Sequence, residues 1–264
     1  MNPRAAVDSV ESQLAAAGVP EPRVDAEWLV SHVLGTTRSG VYATDGAVDG
    51  EALRPLVERR SRREPLAYVL GEWGFRRLVL KTDRRALIPR PETEILVERC
   101  LALLDGTSAP RVLDVGVGSG AIALALADES PDALVTGVDT SREALALARE
   151  NAERLGMGVE LRLGGLADAA AGWDLVVSNP PYVAPGDFDL LEPEVRDWEP
   201  REALVGDGLH EELARVARTD WLVLEVGDGQ AADVARALER LGYAEVAITP
   251  DLAGRERVVE ARRV

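Results

Sequence analysis

An apolar run meets a glycine cluster in the segment Arg111-Val-Leu-Asp-Val-Gly-Val-Gly-Ser-Gly-Ala121. The run 111–116 predicts a buried strand, and the residues that follow predict a helix over about 119–128. Glycines between a strand and a helix let the backbone turn tightly and approach a ligand closely. The segment therefore predicts a strand–loop–helix unit with a ligand site at the loop.

The alternation of strands and helices continues toward the C-terminus. Strands are predicted at 134–138, 159–163, 174–178 and 221–226, and helices at 141–155, about 209–218 and 230–241. This alternation indicates an α/β fold built on a doubly wound, mostly parallel sheet. Two strands in succession, 244–249 and 257–261, indicate an antiparallel hairpin at the sheet edge. We assign residues 91–264 to this domain.

The N-terminal part has a different pattern. Apolar residues at helical spacing predict helices over 4–17, 22–34 and about 50–63, which form a small helical domain, residues 1–72. Alternating apolar and polar residues in Trp73–Thr82 predict a short strand or hairpin within a linker, residues 73–90. Pro89 and Pro91 interrupt the chain before a further helix at about 92–104.

Composition limits the class of protein. The chain has 264 residues, 46% of them hydrophobic and 29% charged, which is sufficient for a sizeable core. A single cysteine, Cys100, excludes an intrachain disulfide and indicates a reducing compartment, and its helical position predicts a core residue. Without a signal peptide or a long apolar run, we expect a cytoplasmic, soluble protein that contacts no membrane, and we expect a monomer. His32 and His210 have no partners at ligand spacing, so no metal site is predicted.

The net charge of −16 disfavours stable binding to nucleic acid, which requires a basic face. The charge is uneven, however, because residues 54–90 contain eleven basic and four acidic side chains. Such a stretch is either an ordinary solvated surface or a docking surface for an acidic or RNA-associated partner.

The glycine loop fits two kinds of ligand. Gly116, Gly118 and Ala121 satisfy the dinucleotide pattern Gly-x-Gly-x-x-Ala. The same loop satisfies the pattern Asp-x-Gly-x-Gly-x-Gly, with Asp114 before the first glycine. A dinucleotide presents a pyrophosphate to the loop, whereas a sulfonium methyl donor presents a cation and an amino-acid tail, which suit an acid at this place. Asp139 follows the next strand, where its carboxylate can accept hydrogen bonds from ribose hydroxyls. The loop favours the methyl donor over the dinucleotide and over a turn without a ligand.

The turn Ser178-Asn-Pro-Pro-Tyr182 follows the strand 174–178 and is the most informative feature of the chain. Ligands of doubly wound sheets bind outside the carboxyl ends of the strands, so Asn179 is expected in the same crevice as the glycine loop. An amide NH2 is a poor nucleophile, and two acceptors on its N–H bonds can aim it and stabilise its developing charge.

Four adjacent residues supply what this chemistry needs. The side-chain oxygen of Asn179 and the carbonyl of Pro180 are the two acceptors, and Pro181 restricts where that carbonyl points. Tyr182 offers a flat face for a planar amide or base. The alternative is a proline-rich loop without a ligand, which is less compatible with the glycine loop upstream.

These motifs together resemble the protein-(glutamine-N5) methyltransferases that modify class I peptide-chain release factors. The similarity includes Glu64-Pro-Leu-Ala-Tyr-Val-Leu-Gly71, Trp73-Gly-Phe75, Leu87-Ile-Pro-Arg-Pro-Glu-Thr-Glu94, and Leu224-Glu-Val-Gly227 with Gln230, besides the glycine loop, Asp139 and the turn. The resemblance implies the class I methyltransferase fold, S-adenosyl-L-methionine as cofactor, and a release factor as protein substrate.

The resemblance also implies roles for individual residues. The loop Gly116-Val-Gly-Ser-Gly120, including Val117 and Ser119, would wrap the methionine part of the donor, and Asp139 would hold the ribose. Asn179–Tyr182 would hold the substrate glutamine, with Asn179 also next to the donor. Arg90 and Glu92 would lie near the site entrance as substrate-binding residues.

Three departures from the family pattern concern the donor site. Val117 stands where a Thr, Cys or small residue is expected, and Gly164-Gly-Leu166 lacks the usual Asp near the adenine, where Leu166 would supply an apolar wall. The stretch from Asp197 to Val226 looks short. Two other functions stay open on the sequence: an adenine-N6 methyltransferase of nucleic acid, which would flip its base into the same turn, and a binding protein without activity.

Overall fold

The computed structural model describes residues 1–263 and divides into two compact units. Unit 1 comprises Met1–Glu72 and the short segment Glu192–Trp198, and unit 2 comprises Trp73–Leu191 and Glu199–Val264. The chain thus leaves the second unit for seven residues and returns, which the sequence did not predict.

Unit 1 is helical, as the apolar spacing predicts. Its helices are α1 (Pro3–Ala16), α2 (Pro22–Leu34), α3 (Gly50–Ser61) and the short α4 (Leu66–Leu70), and α8 (Pro193–Arg196) lies in the segment 192–198. Asn2 and Asp49 cap α1 and α3 by accepting hydrogen bonds from backbone N–H groups. The buried faces of the helices form one apolar core that includes Val7, Leu14 and Leu29.

Unit 2 begins with a hairpin of β1 (Glu72–Phe75) and β2 (Leu78–Lys81), followed by α5 (Thr93–Leu104). Its main sheet contains β3 (Arg111–Val115), β4 (Leu134–Asp139), β5 (Glu160–Leu163), β6 (Trp173–Ser178), β7 (Thr219–Glu225), β8 (Tyr243–Pro250) and β9 (Glu256–Arg263). The helices between these strands are α6 (Ala121–Glu129), α7 (Arg142–Leu155), α9 (Leu209–Val216) and α10 (Ala231–Arg240).

The seven strands have the order β5-β4-β3-β6-β7-β9-β8. The first five are parallel, and β9 is antiparallel to both β7 and β8, which confirms the predicted edge hairpin. Buried apolar residues lie on both faces of the sheet, and Cys100 is fully buried among them, as predicted. The strand order reverses between β3 and β6, and this is the switch point at which doubly wound sheets bind ligands.

Most cations of the basic stretch are in ion pairs. In unit 1, Arg59 pairs with Glu64, and in unit 2, Lys81 and Arg85 pair with Glu150. Further pairs are Arg60–Asp25, Arg60–Glu194, Arg63–Glu194, Arg76–Glu129, Arg85–Asp83 and Arg90–Glu199. The local excess of positive charge counted in the sequence is therefore largely neutralised by acids from elsewhere in the chain.

Candidate active site

The carboxyl ends of β3 and β6 are held together by a side chain. The buried Ser178 hydroxyl donates to the Val115 carbonyl over 2.6 Å. Each of these residues directly precedes a predicted ligand loop, so the bond joins the glycine loop to the turn 179–182. The structure therefore brings the two motifs together at the switch point, as the sequence predicts.

The glycine loop requires backbone angles that only glycine adopts without strain. Gly116, Gly118 and Gly120 all have positive φ, at 80°, 54° and 90°. A Cβ at Gly116 would meet no atom within 4 Å, so this part of the loop faces open space. The loop is a backbone-lined cradle of the kind that a small ligand needs for close approach.

Asp139 ties the loop to the neighbouring strand. Its carboxylate oxygens accept from the backbone N–H of Gly118 at 2.9 Å and of Ser141 at 2.8 Å. Each oxygen retains a second lone pair, so the carboxylate can still accept bonds from hydroxyl groups. Asp139 lies at the carboxyl edge of β4, where the sequence places a ribose-binding acid.

Two residues of the loop turn inward. The Val117 side chain is buried, and a Cβ added at Gly137 would lie 2.6 Å from it, so the missing side chain of Gly137 makes room for this valine. The Ser119 carbonyl accepts from the amide of the fully buried Asn151 at 2.9 Å. The unusual Val117 is therefore accommodated in the core, and its side chain does not lie in the open part of the loop.

Asp114 is fully buried at the base of the loop. Its Oδ2 accepts from the Ala123 N–H at 3.1 Å, whereas its Oδ1 has no hydrogen-bond partner within residues 1–263. Burial, with a smaller contribution from the nearby Asp139, raises the pKa of Asp114 to about 7. An unpartnered buried acid below a cradle fits a ligand that carries a positive charge, because such a ligand favours the ionised form.

We expect donor binding to depend on pH through Asp114. If the cationic donor requires the ionised carboxylate, its Kd at pH 6 is expected to exceed that at pH 8 by about tenfold, because binding below the pKa displaces a proton. Calorimetry at the two pH values measures this, and Asp114→Asn should bind weakly with no pH dependence. Equal donor Kd values at pH 6 and pH 8 for the unsubstituted protein would contradict the role of Asp114. Glu225→Gln alters the other buried acid with a pKa of about 7 and serves as the control, which should retain the pH dependence.

The loop after β5 contains an acid that the sequence analysis missed. Gly164 and Gly165 lead into a short helical turn, and the Asp168 carboxylate accepts from the Gly165 N–H at 2.8 Å and pairs with Arg162 at 3.1 Å. Leu166 is partly exposed and packs against the core of the sheet. A carboxylate is thus present in this loop, although it comes from a later position than the family pattern indicates.

The turn 179–182 presents free acceptors. The Asn179 Nδ2 donates to the Thr93 hydroxyl at 3.3 Å, and its Oδ1 receives no hydrogen bond from residues 1–263. The Pro180 carbonyl likewise accepts none within that range. Two oxygen acceptors on adjacent residues are therefore available at the end of β6, next to the glycine loop.

Gln230 and Gly227 fix the position of Tyr182. Gln230 donates from Nε2 to the Tyr182 carbonyl at 3.1 Å and accepts at Oε1 from the Gly227 N–H at 3.0 Å. A Cβ at Gly227 would lie 2.9 Å from Cδ2 of the Tyr182 ring, so glycine is required for the ring to rest there. Burial raises the pKa of Tyr182, and the phenol stays neutral at physiological pH. Gly227 and Gln230 therefore support the turn 179–182 structurally.

Arg90 and Glu92 lie near this ring. Both contribute to the electrostatic environment of Tyr182 and of Glu225, so the structure brings them to the site. Arg90 pairs at 2.5 Å with the buried Glu199, whose second oxygen accepts from the Ile88 N–H at 3.2 Å. The segment around Pro89 is thereby anchored to the core of unit 2.

The structure adds Thr93 to the site, which the sequence analysis missed. Thr93 is buried at the start of α5, accepts a hydrogen bond from Asn179, and lies close enough to Glu225 to lower the pKa of that carboxyl. Glu225 ends β7, and burial raises its pKa to about 7. The sequence signal for Thr93 was a polar residue at the start of a predicted apolar helix. Helix capping explains such a residue equally well, so the signal did not indicate a site residue.

Comparison with known proteins identifies relatives along nearly the whole chain. Residues 5–71 match the family described as PrmC N-terminal domain, and residues 92–192 match the family described as Methyltransferase small domain. A release factor glutamine methyltransferase of Fusobacterium nucleatum is 39% identical, with 93% of this chain and 75% of the relative covered. A second, from Geobacter sulfurreducens, is 42% identical, with 98% and 96% covered.

Solved structures agree on the fold. The hMettl16 catalytic domain in complex with a MAT2A 3'UTR hairpin superposes with a TM-score of 0.57, at 15% identity, over 70% of this chain and 75% of that chain. A human methyltransferase 10 domain containing protein gives a TM-score of 0.53, at 16% identity, over 70% and 88%. Both support the methyltransferase fold of the sheet domain.

Proposed function

The chain belongs to the family of release factor glutamine methyltransferases, and on this basis we propose how its residues transfer a methyl group from S-adenosyl-L-methionine to the side-chain amide nitrogen, N5, of a glutamine in a peptide-chain release factor. Family membership favours this function over adenine-N6 methylation of nucleic acid. The observation that carries the proposal is the pair of unpartnered acceptors, Asn179 Oδ1 and the Pro180 carbonyl, beside the glycine loop.

The donor would occupy the cradle of the glycine loop. The loop backbone at Gly116–Gly120 would surround its methionine part, Asp114 would favour its positive charge, and Asp139 would accept from its ribose hydroxyls. Leu166 would lie against the adenine. The open space at Gly116 and the unpartnered oxygen of Asp114 support this assignment. When bound, the donor supplies an electrophilic methyl group on a sulfonium.

The turn would hold and orient the substrate amide. Asn179 Oδ1 and the Pro180 carbonyl would each accept one N–H of the glutamine, which aims the nitrogen at the methyl group. Formation of the nitrogen–carbon bond would break the carbon–sulfur bond of the donor, whose sulfur would leave as a neutral thioether. Positive charge would develop on the nitrogen, which would afterwards lose one N–H proton to solvent. The two oxygens stabilise that charge without removing a proton beforehand, which is important because an amide N–H is a very weak acid. Tyr182 would stack on the planar amide.

The proposed function is tested by mass spectrometry of a purified release factor incubated with this protein and the donor. We expect one added methyl group on a glutamine-containing peptide. An adenine-containing duplex, incubated under the same conditions, is expected to remain unmodified. Methylation of the duplex and not of the release factor would replace this function by the adenine-N6 alternative.

The helical unit 1 is proposed to bind the protein substrate. A groove of about 590 Å³ in this unit is lined by the apolar Ala6, Val10, Leu53 and Val57 and by the exposed Arg54 and Arg62. Arg63 is a poor probe of this surface because its guanidinium pairs with Glu194 at 2.5 Å. We also propose that the protein is cytoplasmic and monomeric.

Charge reversal at Arg54 and Arg62 is therefore expected to impair docking. The double variant Arg54→Glu/Arg62→Glu should raise KM for the release factor about three- to tenfold, with less effect at high salt, because exposed charges act mainly on association. The kcat and the donor Kd should stay unchanged. Steady-state kinetics measures this, with the exposed Arg236→Glu of α10 as control. An unchanged KM would exclude these arginines from substrate docking.

A further inference from the structure

A buried polar chain leads from the turn into the core of unit 2. Its members are Asn179, Thr93 and Glu225, of which Thr93 is 4% and Glu225 2% exposed. The Asn179 amide nitrogen donates to the Thr93 hydroxyl over 3.3 Å, and this hydroxyl lies close enough to the Glu225 carboxylate to lower its pKa. The other carboxylate oxygen, Oε2, has no partner within residues 1–263.

The fold places these three residues together. Strands β6 and β7 are parallel neighbours, and Ser178 pairs with Leu224. Asn179 directly follows β6 and Glu225 is the last residue of β7, so the two residues lie side by side at this edge of the sheet. Thr93 opens α5 against this edge. The arrangement follows from the strand register and not from a flexible loop.

Proton counting determines the orientation of the Asn179 amide. The Thr93 hydroxyl has one proton, and the nearby Glu225 carboxylate can only accept when ionised, so we assign this proton to Glu225. The hydroxyl oxygen must then accept from Asn179, which fixes the NH2 group of Asn179 on that side. The amide oxygen is consequently turned the other way, where no residue of 1–263 competes for it.

We propose that Thr93 and Glu225 are positioning residues that hold the Asn179 amide with its oxygen toward the substrate nitrogen. This inference rests on the proposed function. Neither residue touches the substrate; they act through Asn179. If Glu225 becomes protonated, it can donate to Thr93, whose proton is then free to bind the Asn179 oxygen. The Asn179 amide is then no longer held in one orientation, and its oxygen is no longer available to the substrate nitrogen.

Charged and titratable groups from several elements surround Glu225. They are Glu92 and Arg90 before α5, Arg257 on β9, Tyr182 on the turn, and His210 of α9, whose ring nitrogen contacts the Glu225 carbonyl at 2.8 Å. Burial and Glu92 raise the pKa of Glu225, whereas the nearby Thr93 hydroxyl and the two arginines lower it. Burial lowers the pKa of His210, so this ring stays neutral where Glu225 titrates.

Matched substitutions at Thr93 test the proposal. Thr93→Val keeps the shape and removes the hydroxyl, and it should lower kcat about 10- to 100-fold, since a small misplacement of a reacting group has an effect of this size. The donor Kd and the KM for the release factor should change less than about threefold. Thr93→Ser keeps the hydroxyl and should retain kcat within about threefold. Equal kcat values for the Val and Ser variants would overturn the proposal.

A pH profile separates positioning from a merely structural role. The unsubstituted protein should lose kcat as pH falls and Glu225 is protonated, and Glu225→Gln should have a low kcat without this acidic decline. A persistent decline in Glu225→Gln would overturn the proposal even if Thr93→Val proved unable to fold. An unsubstituted protein that methylates no glutamine would refute the proposed function itself, whereas normal methylation by a folded Thr93→Val would refute only the positioning role.

Discussion

Asn179→Ala is expected to lower kcat for the release factor several hundred-fold, while the donor still binds. The variant removes one of two acceptors that stabilise developing positive charge, and the loss of one such preorganised group corresponds to about 3–4 kcal/mol. The glycine loop, Asp114 and Asp139 are unchanged, so the donor Kd should stay within about threefold. Single-turnover transfer and calorimetry measure the two quantities on the same preparation.

Asn2→Ala is a matched control for this substitution. Asn2 accepts from the Ala5 N–H at 2.8 Å and caps α1, so its loss should weaken the helix by about 1 kcal/mol and leave kcat unchanged. A near-normal kcat for Asn179→Ala would remove the acceptor role. A large rise in donor Kd would instead mean that Asn179 acts mainly on the donor.

The elements of the fold could be predicted because their signals are local. The periodicities at 111–116 and 174–178, for example, correspond to the strands Arg111–Val115 and Trp173–Ser178. That the glycine loop and the turn 179–182 meet was also predictable, since a topological rule places loops at the carboxyl ends of parallel strands in one crevice. Differences at the element ends are small because fraying and capping decide them.

The parts of the site that the sequence did not predict depend on contacts between residues distant in sequence. Thr93 reaches Asn179 across 86 positions, and no local pattern reports such a pair. The burial that raises the pKa of Glu225 arises only when β7 enters the middle of the sheet. Val117 looked anomalous for the same reason, because the Gly137 that accommodates it lies on another strand.

Asparagine occurs only three times in the chain, at positions 2, 151 and 179, and two of these residues make structural hydrogen bonds. Asn2 caps a helix, and the fully buried Asn151 bonds the Lys81 backbone at 2.7 Å and the Ser119 carbonyl at 2.9 Å. The Asn151 side chain needs its amide, because it accepts and donates at once, whereas Asn2 only accepts, as other N-cap residues do. For Asn179, position at the switch point is what distinguishes a site residue from a structural one.

Arg60→Met is expected to destabilise unit 1 by about 3–5 kcal/mol. The Arg60 side chain is 6% exposed and pairs with Asp25 at 2.6 Å and with Glu194 at 2.9 Å. Glu194 retains Arg63, but Asp25 would lose its cationic partner in a buried place, and an unpaired buried charge is costly. Hydrogen exchange of the α3 backbone amides measures the loss in this unit, because exchange reports stability locally, amide by amide.

Arg62→Met is the matched control, since the same change at an exposed arginine two positions away should alter stability by less than about 0.5 kcal/mol. Burial already raises the pKa of Asp25 against the effect of Arg60, and removal of Arg60 raises it further. A raised acid pKa in the folded state costs stability above that pKa, and the cost disappears as pH falls toward the unfolded value of about 3.9. The deficit of Arg60→Met should therefore be larger at pH 8 than at pH 5. A deficit independent of pH would indicate lost packing of the long side chain, and a negligible deficit would mean that the pair contributes no stability to the helical unit.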